Sequence, residues 1–396
     1  VTVSAAPSRH RTAWLEIDLA ALRHNVGVIR SLVGPAALAA VVKADAYGHG
    51  MVPTALALAA HVDAFCVATL DEAIVLHERV AGRVLVLYPV PAAAAADALA
   101  SGAELTIMSP ADLSSLLAAA HPGRQPVALH LCLETGMGRG GLQPDEAVAV
   151  AAAIGADPRC RLAGLWSHLA CPEDPETSAR QVAHFMAATG MLRSVGLPIP
   201  SRHLAASGGI FSAAAPALEL VRPGLAVYGV MDETLPVAAA AREAAARLRA
   251  ALSLKARPVA MVDVPVGGSV GYGGRWRAER ASRLAILPLG YADGYLRGAQ
   301  PGASAIVRGV RVPLAGVISM DALAVDVTDL PGIDQADEFV LLGRQGAEII
   351  TAGDLARSRN TIAWEVLSSM AARLDRVYYP EAGHPDPYEP PALCQT

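Results

Sequence analysis

Val41-Val42-Lys43-Ala44-Asp45-Ala46-Tyr47-Gly48-His49-Gly50 sets one lysine at the end of a short apolar run, ahead of a segment with two glycines. The run Ala37 to Val42 has the length and character of a buried strand, and Gly48 and Gly50 suit a loop folding closely around something. An amine at the dry end of a strand has its pKa lowered by desolvation, which exposes the neutral, nucleophilic form. That is the preparation a lysine needs to form a Schiff base with an aldehyde. An average lysine at a strand end is only a charged cap. Composition argues for more here, because arginine supplies almost every cation and only two lysines, Lys43 and Lys255, are kept. Arginine stays protonated and forms no imine under ordinary conditions, so the retained lysine points to a need for an amine.

The elements that must position this amine run from Leu15 to about Gly229. Asp18 can cap a helix through Val33. Strand-like runs follow at Leu38–Lys43, Phe65–Thr69, Val84–Tyr88, Leu105–Met108, Val127–Glu134, Leu162–His168, His203–Ser207 and Leu220–Arg222. Helical spacing fills the gaps, as in Asp71–Val80, Asp112–Ala120 and Pro144–Ile154. Eight such alternations predict a closed parallel (β/α)8 barrel of TIM type rather than an open sheet. No Gly-x-Gly-x-x-Gly follows the first strand, which weakens a dinucleotide-binding reading. Chemistry in such barrels sits at the C-terminal ends of strands, with phosphate held after the seventh and eighth. Lys43 ends the first run, Arg139 follows the fifth and His168 ends the sixth. Ser207-Gly208-Gly209 follows the seventh and Arg222-Pro223-Gly224 closes the eighth, offering N–H groups and a hydroxyl to an anion.

Past a helical connector at Ala238 to Leu252 the composition changes. Lys255–Val264, Leu284–Leu289, Ala305–Val312, Ala324–Val327 and Phe339–Leu342 are β-rich and separated by Gly, Pro and Asp turns. A short helix at Ala352–Ser358 and a strand near Arg376–Tyr379 follow, then a Pro-rich tail after Glu381. The expected division is a barrel over residues 1–245 and a mostly β domain over 246–396, and 396 residues suffice for two cores. A net charge of −5 gives no basic footprint for nucleic acid or an anionic membrane. No run approaches the roughly 18 uninterrupted apolar residues of a membrane span. Val1 to Arg11 lacks a signal-peptide core, so a cytoplasmic setting is expected. The five scattered cysteines, Cys66, Cys132, Cys160, Cys171 and Cys394, form no close pair, so neither a metal site nor a disulfide framework is expected.

These residues resemble those of a known family, the alanine racemases dependent on pyridoxal phosphate. Val42 to Gly50 resembles that family's cofactor-attachment signature. Thr135-Gly136-Met137-Gly138-Arg139, Ser167-His168, Ala206-Ser207, Val221-Arg222-Pro223-Gly224 and Val270-Gly271-Tyr272-Gly273 follow in family order. So do Gly290-Tyr291-Ala292-Asp293-Gly294 and Ser319-Met320-Asp321, and the match covers nearly the whole chain. The resemblance implies a barrel plus β domain and a head-to-tail homodimer with active sites shared across the interface. It implies interconversion of L- and D-alanine by two-base proton transfer at Cα. Lys43 would carry pyridoxal 5'-phosphate and act as one acid/base; Tyr272, reaching in from the other subunit, would be the second. Both groups have ordinary pKa values of about 10, so each must be tuned toward working pH. Arg222 would face the pyridine nitrogen, supported by His168, and a cation there makes the ring a weaker electron sink. Tyr47, Ser207, Gly224, Leu225 and Trp364 would hold the phosphate. Arg139 and the Met320 backbone would meet the substrate carboxylate, with Tyr291 and Asp321 lining the access route.

Several positions depart from the family's pattern. Cys132 stands seven residues before Arg139, where a lysine, often carbamylated, is usual, so Arg139 needs another partner such as Glu134, chloride or water. Glu134 replaces a preferred Asp, Ala206 a common Asn, and Trp364 a tyrosine that helps hold phosphate. An indole N–H donates but does not accept. The proton-transfer residues are intact while the pocket wall is altered, so serine or another small amino acid stays open as substrate; one methylene is discriminated only roughly 10–200-fold. A decarboxylase or aldolase on the same plan would more naturally set an acid against the ring nitrogen. A non-catalytic cofactor carrier would lack a second domain bearing Tyr272.

Overall fold

The computed structural model describes residues 11–119, 126–295, 297 and 302–379. Residues 1–10, the tail after Glu381 and Cys394 lie outside the described residues. The chain forms two compact units, Leu22–Arg249 and a second made of Val1–Ala21 with Ala250–Thr396.

In the first unit, near-continuous apolar runs form parallel strands that are covered on both faces, as parallel sheets require. Among the described residues these strands are Ala37–Val41, Ala64–Val67, Arg83–Val86, Leu105–Ile107, Val127–Cys132, Cys160–Trp166, Arg202–His203 and Leu220–Val221. The first three and the eighth make one four-stranded sheet, the fourth to seventh another. Parallel bridges between Leu85 and Glu104 and between Ala206 and Arg222 join the two sheets at both seams. The cylinder is thereby closed, a TIM-type barrel. Helices return the chain between strands. Leu70–His77 begins on a capping box of Thr69 and Glu72, and Pro110–Ala118 on one of Ser109 and Asp112. The longest, Pro175–Ser194, is one the sequence reading did not single out.

The strands stop one to four residues before the apolar runs do, because the ladder ends where the chain splays into the loops of the barrel mouth. Lys43 therefore opens the turn after the first strand rather than ending it. The connector is also less helical than its composition implies. Only Ala239–Ala241 and Arg242–Ala246 are helical, and Leu252 already belongs to a strand.

The second unit is built on a ten-stranded sheet. Its strand Ala13–Asp18 pairs antiparallel with Leu252–Ala256 and parallel with Asp375–Tyr379. The chain therefore leaves this unit and re-enters it, instead of dividing once near residue 245. Two stretches read as single strands are each two. Lys255–Val264 is interrupted around Pro258, which has no N–H for a ladder, giving Leu252–Ala256 and Ala260–Val264. Ala305–Val312 folds into a hairpin at Arg308-Gly309, whose φ values of 50° and 75° are those of a two-residue turn with Val307 opposite Val310. A second short helix, Ala363–Ser368, carries Trp364.

Gly294 ends a turn at φ 90°, and a Cβ there would lie 2.1 Å from the Ser369 carbonyl oxygen. Both the conformation and the contact oppose any side chain. Gly294→Ala is expected to lower unfolding free energy by about 2–4 kcal/mol, read by denaturant titration; an unchanged midpoint would contradict this packing.

Candidate active site

Lys43 is followed by Ala44, Asp45, Ala46 and Tyr47, all in the left-handed region at φ 53–55°. That conformation costs roughly 1–2 kcal/mol for each residue with a Cβ, so other contacts must impose it. The Ala44 N–H donates to Glu72 Oε1 at 2.7 Å, and Asp45 Oδ1 accepts the Met51 N–H at 2.8 Å. The Nδ1 of buried His49 lies 3.0 Å from both the Ala46 and Tyr47 carbonyls, so that nitrogen carries the hydrogen. The His49 ring packs at a tilt against Tyr228, which packs likewise against Tyr47 and donates to the Val41 carbonyl at 2.8 Å. The glycines, histidine and aspartate of the signature stretch thus shape the turn that presents Lys43. Its amine is lowered from the ordinary value by burial first, then by Arg139, with Arg222 adding and Glu72 and Cys66 opposing.

Arg222 lies in the barrel interior, 3% exposed, above the Trp166 ring at 4.8 Å. Burial takes its pKa down to about 10, which still leaves it a cation at neutral pH. It donates to the carbonyls of Ser167 at 2.7 Å and His203 at 2.8 Å, and to His203 Nδ1 at 2.6 Å. The hydrogen-bonding support expected from His168 is therefore given by His203. His168 sits within reach of the charges of Arg222, Arg139 and Lys43; burial first and those cations next hold it down at about 3, so it is neutral. Beyond His203 the chain of bonds continues. His203 Nε2 lies 2.9 Å from His130 Nδ1, and His130 Nε2 lies 2.9 Å from Glu104 Oε2. Arg83 grips Glu104 through two bonds of 2.7 and 3.0 Å. The sequence holds a signal for this chain that went unread: a histidine inside the apolar strand Val-Ala-Leu-His-Leu-Cys must find a polar partner once buried.

Ser207 Oγ accepts the N–H groups of Gly224 at 3.0 Å and Ala226 at 3.2 Å, which joins the turns after the seventh and eighth strands, next to Leu225. A Cβ on Gly224 would lie 2.5 Å from the Tyr47 hydroxyl, so glycine lets that phenol approach the backbone. Burial pushes Tyr47 up to about 12, keeping it a hydrogen-bond donor. Arg139 meets Glu134 through its backbone N–H. The Glu134 carboxylate accepts the Gly136 N–H at 2.6 Å and the Gly138 N–H at 3.0 Å, clamping its own loop, while exposed Arg139 lies 5.9 Å from the Tyr88 ring centre. Burial raises the Cys132 thiol to about 12, so it is neutral and brings no counter-charge.

The remaining candidates lie in the second unit. The Tyr291 N–H donates to the Ser319 carbonyl at 3.1 Å and the Ala292 N–H to Met320 at 3.0 Å, which holds these two loops together. Arg373 bridges Asp321 at 2.6 Å and buried Asp293 at 2.7 Å. Tyr272 stands on a short turn whose neighbour Gly271 packs on Val317, and it is 69% exposed.

Family models match both parts of the chain: the alanine racemase N-terminal domain over residues 17–232 and the alanine racemase C-terminal domain over residues 251–378. The chain belongs to the alanine racemase family. It is 36% identical over 375 residues to the alanine racemase of a Nostoc species, covering 92% of this chain and 95% of that one. A crystal structure of the biosynthetic alanine racemase from Pseudomonas aeruginosa superposes with a TM-score of 0.80 at 34% identity, covering 93% of this chain and 99% of the other. The Bacillus anthracis alanine racemase with bound L-Ala-P does so with a TM-score of 0.85 at 29% identity, covering 95% and 96%.

Alanine racemases depend on pyridoxal phosphate, and the barrel residues fit that group. The chemistry of the set suits it: Lys43 is an amine that could join its aldehyde, Tyr47 and Ser207 carry hydroxyls that could donate to its phosphate, and Arg222 is a buried cation that could face its ring. Because the Lys43 turn is held by contacts rather than by its own preference, those contacts are testable. Glu72 accepts three backbone N–H groups, from Ala44, Ala68 and Thr69. Glu72→Ala is expected to lower stability by about 1–2 kcal/mol and to weaken retention of pyridoxal phosphate on dialysis; unchanged retention would show that the turn does not depend on it.

Proposed function

We propose that this chain interconverts L- and D-alanine with pyridoxal 5'-phosphate held at Lys43. The observation that carries the proposal is the place of the Lys43 amine, at the head of the turn that follows the first barrel strand, where burial, Arg139 and Arg222 lower its pKa. When bound there, the cofactor supplies an electron sink that acidifies the Cα–H of an amino acid joined to it. Lys43 Nζ, whose charged form is disfavoured by burial and by Arg139, takes or returns that proton on one face. Tyr272 Oη does the same on the other face, contributed by the partner of a homodimer; its exposure in its own unit suits that role. Arg222 would set its fixed cation against the ring of the bound group and oppose its protonation, which makes the ring a weaker electron sink and favours simple proton exchange over side reactions. Buried, neutral Tyr47 and the Ser207–Gly224 turns, next to Leu225, would bind phosphate, and the Trp364 indole N–H would donate to it. Neutral His168 completes the cofactor wall without adding a charge. Arg139 and the Met320 backbone orient the substrate carboxylate, and Tyr291 and Asp321 line its route in.

No helix among the described residues is long and apolar enough to cross a membrane. We place the enzyme in the cytoplasm, where the free thiols of Cys66, Cys132, Cys160 and Cys171 stay reduced.

The test is a chiral-product assay with added pyridoxal phosphate across small amino acids. Alanine is expected to racemise fastest; a higher kcat/KM for serine would overturn the substrate, and release of CO2 or an aldehyde would overturn the reaction. Lys43→Ala is expected to lose both racemisation and the visible absorbance of retained cofactor. Tyr272→Phe should lose racemisation and keep that absorbance. Lys255→Ala should keep both, and an opposite result for the two lysines would refute the site.

A further inference from the structure

The chain of bonds from Arg222 to Glu104 has a direction, and its far end sets it. Glu104 is 6% exposed, and His130 and His203 are fully buried. Arg83 has only donors, and it occupies the Glu104 carboxylate from the strand beside it. A carboxylate accepts only, so the bond at 2.9 Å requires hydrogen on His130 Nε2. Burial alone would push Glu104 up, but the bonds from His130 and Arg83 hold it at about 2, while burial lowers both histidines. Arg222 can only donate, so His203 Nδ1 holds no hydrogen and His203 Nε2 carries the one shared with His130 Nδ1; His130 thus donates to Glu104 as a neutral ring, and Arg83 is the ion-pair partner. A neutral His130 with hydrogen on Nε2 has a lone pair on Nδ1, which must accept from His203 Nε2. His203 Nδ1 is then also a lone pair, the form that accepts from Arg222.

We propose that Glu104 is a distal positioning residue, which sets the tautomers of His130 and His203 and so holds the Arg222 guanidinium where the proposed racemase needs its cation. The inference rests on that function for its purpose; its physical content is a proton arrangement that exists with or without activity. Gly164 on the neighbouring strand belongs to the same device, since a Cβ there would lie 2.4 Å from His130 Nδ1. Arg83 gives the arrangement a sharp consequence. In Glu104→Gln the new carbonyl turns to the Arg83 donors and the new NH2 turns to His130. His130 must then accept at Nε2 and carry hydrogen on Nδ1. His203 is driven to carry hydrogen on Nδ1, which faces the Arg222 donor, and the guanidinium is displaced. Removing Arg83 as well lets the carbonyl of the introduced amide turn back to His130, which restores the original order.

The experiment is 15N NMR of the imidazole nitrogens in the cofactor-loaded protein, with the absorbance band of retained pyridoxal phosphate as a second readout. In the wild type both histidines are expected neutral with hydrogen on Nε2. In Glu104→Gln the His203 Nδ1 signal should move to the protonated range and the absorbance band should shift. In the Arg83→Leu/Glu104→Gln double variant both should return toward wild type. Hydrogen on His203 Nδ1 in the wild type, or a Glu104→Gln variant with unchanged tautomers, would overturn the proposal. The wild-type measurement decides even where a variant does not fold. Loss of racemase activity with intact tautomers in the wild type would count against the proposed function and not against this arrangement.

Discussion

Lys43 can act as nucleophile and base only while its ammonium form is disfavoured, and most of the barrel mouth contributes to that condition. The backbone after the first strand is forced into a left-handed turn, and the half-buried amine at its head loses part of the water that would stabilise its charge. Arg139 and Arg222 add fixed positive charge, and the acid that opposes them, Glu72, has its carboxylate engaged by backbone N–H groups. Lys255 is the internal contrast. It is also partly buried, but Glu16 and Glu338 lie 2.7 and 2.9 Å from its amine and raise it despite burial. Two lysines in one chain are thus driven in opposite directions by the charges placed around them.

Much of this was legible in the order of residues alone. The strand–helix alternation gives the barrel, and the residues just past the strand ends are those gathered at its mouth. What escaped the sequence is long-range. Arg222 meets His203 across 19 residues, His203 meets His130 across 73, and His130 meets Glu104 across 26. No local periodicity encodes such pairings; they appear only when a cylinder closes and inward side chains from four strands share its interior. The pairing of Ala13–Asp18 with strands some 240 and 360 residues away is hidden for the same reason. Other misses were local. Arg308-Gly309 is an unusual pair for a two-residue hairpin, which more often uses Asn-Gly or Asp-Gly.

The departures from the family pattern acquire physical content in the same way. Cys132 is a buried neutral thiol, so it brings no counter-charge to Arg139, whose charge helps depress Lys43. Glu134 is one residue type away from the usual aspartate and keeps a backbone role, closing the Thr135–Arg139 loop on itself. Ala206 stands directly before Ser207 in the barrel and Trp364 on a short helix of the second unit, and neither is one of the proposed proton-transferring residues.

Having only two lysines makes the central claim directly measurable. With the cofactor removed, NMR titration of the two side-chain amines, isotope-labelled at nitrogen, gives one curve for each. The account predicts that Lys43 titrates below the ordinary 10.5 and Lys255 above it. A Lys43 amine that titrates at or above that value would contradict it.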